Sequence, residues 1–177
     1  MPRISLQQGF SLIEVLVAVL VITIGLLGVA GMQLVGLKGN QQSFSKNQAA
    51  HHAQAVLEKM RGNPAGVITN KYLFDSSTYS CATEPTKNCG LAASVCNPEQ
   101  IAIHDLFRAF CGQKGGVAGG IKGDLSGSEM SITCPVDCAT GIALTLEWNE
   151  QLLGKEGDKS GVKTIARELT INTVIGQ

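Results

Sequence analysis

The residues of this chain whose types and spacing could do chemistry are six cysteines and one isolated glutamate. Cys134-Pro135-Val136-Asp137-Cys138 is the one constellation with a catalytic or metal-binding reading. Its spacing is C-x3-C, whereas thioredoxin-like redox sites use C-x-x-C opening a helix beside a βαβ pattern, and no such pattern is present. A tetrahedral zinc site would need two further ligands, which Cys81, Cys89, Cys96 and Cys111 could supply in a cytosolic protein. In an oxidising compartment the same six cysteines form bridges instead, and structural disulfides are the expectation. The pairing expected is Cys89 with Cys96, Cys111 with Cys134 and Cys81 with Cys138, although spacing alone leaves the connectivity open.

Other chemistries find little support. There is no Gly-x-Ser-x-Gly elbow and no His-Glu-x-x-His motif, and the histidines are His51, His52 and His104. His51 and His52 are neighbours, about 100° apart on a helix, so they do not form a chelating i, i+4 pair. Asp105, Asp124, Asp137 and Glu147 have no spacing that singles out an acid-base couple. Gly115-Gly116 and Gly119-Gly120 follow a helix and lack the Lys-Ser or Lys-Thr of a phosphate loop, so a flexible loop is expected there. The expectation is a protein that is not an enzyme, with no metal and no cofactor. The reading from another class is a membrane-anchored periplasmic enzyme or redox protein, whose head, begun near Lys38, would keep its activity.

Glu14 is the isolated acid. From Val15 to Leu37 there are 23 positions without Asp, Glu, Lys, Arg or His, enough for a helix of roughly 35 Å across a hydrocarbon core of about 30 Å. A secretory signal would have a shorter apolar region closed by a small-residue cleavage site. Lys plus Arg and Asp plus Glu are 14 each, which leaves no basic excess for nucleic acid. With 44% hydrophobic and 16% charged residues, disorder is excluded as well. An acid beside such a span costs up to about 3 kcal/mol and calls for a partner, unless it snorkels to the headgroups. Cleavage after Gly9 would provide one, because the new amine of Phe10 is a cation close to Glu14. Between staggered helices, the amine of one chain could meet Glu14 of the next, a head-to-tail contact that grows a helical filament.

Gly9-Phe10-Ser11-Leu12-Ile13-Glu14-Val15-Leu16-Val17-Ala18 resembles the class III signal of type IV pilins and type II secretion pseudopilins. The resemblance implies that a prepilin peptidase cuts between Gly9 and Phe10, that the Phe10 amine is N-methylated, and that Glu14 is the acidic subunit-assembly residue. Leu20 to Gln33 is similar to the PilV-type minor pilins in particular. For such a protein the implied partners are other minor pilins, the major pilin, the prepilin peptidase, an inner-membrane assembly platform and membrane lipid. The implied location is a single-pass inner-membrane protein with a periplasmic head, reaching the cell-surface pilus after assembly. A minor pseudopilin of a type II secretion system has the same signal. Major pilins usually carry a proline in the apolar helix. None occurs between Phe10 and Gly62, where Gly25, Gly28, Gly31, Gly36 and Gly39 thin the helix instead.

Past Lys38 the pattern becomes amphipathic, with Ala49, Ala53, Val56, Leu57 and Met60 on one face. One helix is expected from Phe10 to Arg61, roughly 78 Å long, stopped by Gly62-Asn63-Pro64. Residues 63–96 read as a long loop pinned by disulfides. Asn97-Pro98-Glu99-Gln100 opens a short helix with Ile103, Leu106, Phe107 and Phe110 on its buried face and Gly112 as its stop. Alternation marks strands at Met130-Ile132-Cys134, Ile142-Leu144-Leu146-Trp148 and Ile165-Leu169-Ile171, with Glu150 to Lys163 as an exposed loop. The fold class expected is α+β and pilin-like: a long N-terminal α-helix, transmembrane in its first half, packed by its second half against a small antiparallel β-sheet head. The segments expected are a leader at 1–9, a transmembrane and filament-core helix at 10–37, its amphipathic continuation at 38–62, and a disulfide-bonded head at 63–177.

Overall fold

The computed structural model describes residues 9–90, 95–115, 119–153 and 162–175, and the chain divides into two compact units, Met1–Ser43 and Phe44–Gln177. Helix α1 spans Leu12–Gly62. Nothing interrupts it, since the segment has no proline, and its first amide bonds run from the Glu14 and Val15 N–H groups to the Ser11 carbonyl, at 3.0 and 3.3 Å. Within the first unit its large apolar side chains all lie open: Leu16, Leu20, Leu27 and Leu34 are 51–73% exposed.

The second unit owns the core. Ala49, Ala53, Val56, Leu57 and Met60, from the last part of α1, are buried as their spacing predicts. A four-stranded antiparallel sheet packs with them, in the order β1 (Phe74–Asp75), β2 (Glu129–Thr133), β3 (Ile142–Leu153), β4 (Val162–Thr173). Register lines up Phe74, Ile132, Leu144 and Ile171 as one rung across all four strands, and Met130, Leu146 and Leu169 as another. Residues opposite one another share a face, so these rungs are the apolar floor of the core. The α+β, pilin-like architecture expected from the sequence is the one observed.

Helix α3 (Pro98–Phe110) opens with a complete capping box: Asn97 Oδ1 accepts from the Gln100 N–H at 2.8 Å, and Gln100 Oε1 accepts from the Asn97 N–H at 3.1 Å. It ends where Gly112 takes φ 66°, a conformation that suits glycine. Its buried face is Ala102, Leu106, Phe107 and Phe110. Ile103 departs from the expected face and is 45% exposed, while the neighbouring Ala102 is fully buried, so the buried face is turned by one residue.

Other expectations change too. The stretch after Gly62 is no plain loop: Asn63 caps a second helix, α2 (Pro64–Ile68), and a strand β1 and a 3-10 turn (Ser76–Thr78) follow. The strands β3 and β4 run to Leu153 and from Val162, well into the span expected as loop. Glu150 explains the extension: only 8% exposed, its carboxylate accepts from Arg167 Nε at 2.9 Å and from Trp148 Nε1 at 3.4 Å. A polar residue paired across a ladder is strand, whatever its hydropathy. Residues 154–161, the remainder of that expected loop, lie outside the described residues. Of the glycine pairs, Gly120 is no flexible joint, since it begins α4 (Ile121–Asp124) and a Cβ there would meet the Cys111 carbonyl carbon and the Phe110 oxygen at 2.7 Å. Gly116 lies outside the described residues.

Candidate functional site

At the start of α1, Gly9 and Phe10 are exposed, Phe10 to 83%, and precede the first helical residue. Of the expected leader at 1–9, residues 1–8 lie outside the described residues. Glu14 stands in the first turn, also exposed, where the helix dipole is positive. With about 100° per residue, Glu14, Ala18, Gly25, Gly28, Gly36 and Gly39 fall within an arc of about 80°. Leu16, Leu20, Leu27 and Leu34 fall within about 40° on the opposite side. Val21 and Met32 lie in the first arc as well, so both faces are apolar and the helix is not amphipathic; the four glycines stand on one side of it. A Cβ added at any of these glycines meets nothing within 4 Å, so they are not spaces demanded by the chain's own packing.

Residues 4–30 match the prokaryotic N-terminal methylation motif. This is the type IV pilin and pseudopilin signal. It takes in both sides of the Gly9–Phe10 bond, Glu14 and the apolar helix as far as Ala30, and it does not reach the cysteines. No curated protein and no solved structure matches the chain significantly. Among the described residues, α1 is the one helix long and apolar enough to cross a membrane. The signal and a helix long and apolar enough to cross a membrane therefore stand together on one element.

The cysteines do something different from one expectation. Cys89 and Cys96 are bridged as anticipated, but the other two bridges join Cys81 to Cys111 and Cys134 to Cys138. The pairings Cys111–Cys134 and Cys81–Cys138 are thus corrected. The reason is local: the chain turns sharply after β2, bringing the Cα atoms of Cys134 and Cys138 to 5.0 Å, within the ordinary reach of a disulfide. The turn is held by the Thr140 N–H donating to Asp137 Oδ1 at 2.8 Å. Cys111, which follows α3, then meets Cys81, whose carbonyl accepts from the Gly115 N–H at 2.8 Å. The C-x3-C constellation is a closed loop staple.

The remaining polar residues are dispersed. His52 Nε2 lies 3.1 Å from Asp124 Oδ2, tying α1 to α4, while His51 is exposed. Among the described residues no three His, Cys, Asp or Glu side chains converge on a common point. A cleft of about 320 Å³ beside the Cys89–Cys96 bridge is lined by Glu84, Asn88, His104 and Arg108 over Phe107. Burial holds the His104 imidazole below its ordinary pKa, with Asp105 acting against this and Lys59 and Arg108 reinforcing it. Among the described residues its lining offers one acid, one guanidinium and an imidazole that resists protonation.

Sequence reading missed the most tightly organised polar cluster. Asn63, 4% exposed, uses Oδ1 to accept from the Gly66 N–H at 3.2 Å and Nδ2 to donate to the Pro98 carbonyl at 2.7 Å and the Tyr72 hydroxyl at 3.2 Å. Tyr72 donates to Asp105 Oδ2 at 2.8 Å, and Asp105 Oδ1 accepts from Lys59 Nζ at 3.0 Å. Burial, and the hydrogen bond to Asp105, push the Tyr72 phenol well above its ordinary value, with the Asn63 bond opposing. These bonds hold the end of α1 to α2 and α3. Gly66 is part of the same arrangement, since a Cβ there would approach Pro98 O at 3.1 Å. Asn before Pro was the signal available, an N-cap followed by a proline at the first helical position.

Proposed function

We propose that this chain is a minor pilin of the PilV type, a structural and assembly protein and not an enzyme, which primes a type IV pilus and supports pilus-dependent twitching and adhesion. In this reading the precursor waits in the inner membrane with its head in the periplasm. Prepilin peptidase cuts between Gly9 and Phe10, and the new Phe10 amine is methylated. The apolar helix then enters a growing bundle, where the amine of one subunit neutralises Glu14 of another. Other minor pilins, the major pilin and an assembly platform are its partners.

The observation that carries this reading is the methylation motif set directly on a helix whose large apolar side chains from Leu12 to Leu37 are exposed. The grouping of Gly25, Gly28, Gly36 and Gly39 on one side of α1 supports it. Helices in lipid associate through small residues that let backbones approach, and Glu14 shares its face with four of the glycines. A leucine face opposite is suited to lipid or to looser neighbours.

Intact mass of the protein extracted from its native membrane is the test. The expected chain begins with N-methylated Phe10; a chain still beginning at Met1, in cells that trim their other prepilins, overturns the proposal. A deletion strain then separates pilus from secretion system. Fewer pili with normal exoprotein secretion is the expected outcome, and lost secretion with normal pili assigns the chain to the type II machine.

A further inference from the structure

The two edges of the sheet differ. β1 is two residues long, a usual way for an edge to be made unavailable. β4, at the other edge, has twelve residues, no proline, and an unbroken register with β3 from Val162 opposite Leu153 to Thr173 opposite Ile142. In an antiparallel strand every second residue turns its N–H and C=O away from its partner. Along β4 those groups form an open ladder, and among the described residues no strand pairs with it. The side chains beside that ladder alternate: Leu169 and Ile171 are partly buried and pack against the core, while Ala166, Glu168, Thr170 and Asn172 are exposed on the other face.

We propose that the outer edge of β4 is a docking site for an extended segment of a different protein, which adds to the sheet as a fifth strand. The segment would carry apolar side chains at alternate positions to complete the cover over Leu169 and Ile171, and a lysine or arginine next to Glu168. In its two longest registers a second copy of this chain fits poorly. A two-fold axis through the sheet pairs residues of equal parity, so the longest self-pairings of Val162–Thr173 centre on Arg167 or on Glu168, setting like charges opposite each other. This inference does not depend on which secretion or pilus machine the chain serves.

The test places a photo-reactive benzoylphenylalanine at Thr164, Ala166 or Asn172 of the full chain, one at a time, in membranes of its native host. The attachment points are mapped by mass spectrometry. The expected result is one partner segment, on which the attachment point advances by two residues from the first probe to the second and by six from the second to the third. A probe at Thr145, on the central strand β3, should leave that segment unlabelled. Absence of cross-links, attachment points without this progression, or cross-links to a second copy overturn the proposal. Glu168→Lys should lower the yield several-fold, and a glutamate in place of the partner's opposing lysine or arginine should restore it. An unchanged yield rejects the charge pairing; intact disulfides, measured on the same variant, establish that it has folded.

Discussion

The first forty-odd residues and the rest of the chain solve opposite problems. In Phe44–Gln177 most apolar side chains form one buried core and, among the described residues, no buried side-chain nitrogen or oxygen lacks a hydrogen bond. In Met1–Ser43 the described side chains are exposed, and they are overwhelmingly apolar. A surface of that kind is stable only against lipid or other helices. One region is finished by folding and the other only by association. The comparison teaches where to look for function: substitutions in α1 before Ser43 should change assembly without touching fold stability, and substitutions in the head the reverse.

The largest effect is expected at Glu14. Glu14→Ala removes a charge that is costly near lipid, so membrane insertion should be undiminished. Incorporation into sheared filaments should fall by at least about tenfold, the equivalent of roughly 1.4 kcal/mol of lost pairing per subunit. The thermal midpoint of the head should not move. Filaments with the wild-type share of the mutant chain would break the comparison on its assembly side.

On the folding side, the disulfides come next. Cys81–Cys111 closes a separation of 30 residues, Cys134–Cys138 one of 4. The chain-entropy model assigns about 3–4 kcal/mol to the longer closure and about 2 kcal/mol to the shorter. Replacing both Cys81 and Cys111 by Ala should therefore lower the denaturation midpoint more than the Cys134/Cys138 double replacement does. Peptide mapping under non-reducing conditions checks the connectivity in the same samples. Equal destabilisation by the two pairs would show that the longer bridge spans a region already ordered in the unfolded chain.

What could be read from the residues followed the length of each signal. α1, α3, β2, β3 and β4 have enough turns or alternations for periodicity to show, and the capping box at Asn97 named the start of α3. α2 and β1 have five and two residues, too short for a period, and exist because tertiary contacts hold them. Glu150 hid the length of β3, since its burial depends on Arg167, a partner far along the chain. The disulfides do not split by locality: Cys89–Cys96 was legible, whereas Cys134–Cys138, only 4 residues apart, was not, because the spacing does not show that the turn after β2 closes. Cys81–Cys111 depends on where α3 ends relative to a loop, which no spacing encodes. The methylation motif over residues 4–30, which takes in Gly9, Phe10 and Glu14, was legible because it is a linear signal. The free edge of β4 was not, since edge position exists only once the sheet is ordered.

Asn63 gives the next smaller effect. Asn63→Ala deletes the cap of α2 and leaves the Pro98 carbonyl and the Tyr72 hydroxyl each short of a donor in a buried setting. A lost cap and unpaired buried groups together should cost about 2–3 kcal/mol. Urea denaturation of the full chain in detergent measures it, with the slope unchanged if only the folded state is affected. Asn63→Asp keeps the cap but removes the donors. It should fall between the two, and would separate helix capping from the tie to α3.

Tyr72 supplies the smallest effect and the sharpest one in pH. Its folded-state pKa is raised by burial above the unfolded value of about 10. The unfolded chain therefore loses the phenolic proton first as pH climbs, and stability is fully present below pH 10 and lost as pH rises above it. Tyr79, also raised by burial, contributes in the same direction. Tyr72→Phe should lose about 1–2 kcal/mol at neutral pH, because Asp105 and Asn63 each lose a partner. Above pH 10 it should decline less steeply than the wild type, so that the two stability curves converge, with Tyr79 leaving a residual slope in both. Parallel curves from pH 7 to 11 would mean that the phenol ionises in place, with Lys59 near enough to Asp105 to receive the new charge, and the head would be less tightly closed around Tyr72 than its 1% exposure implies.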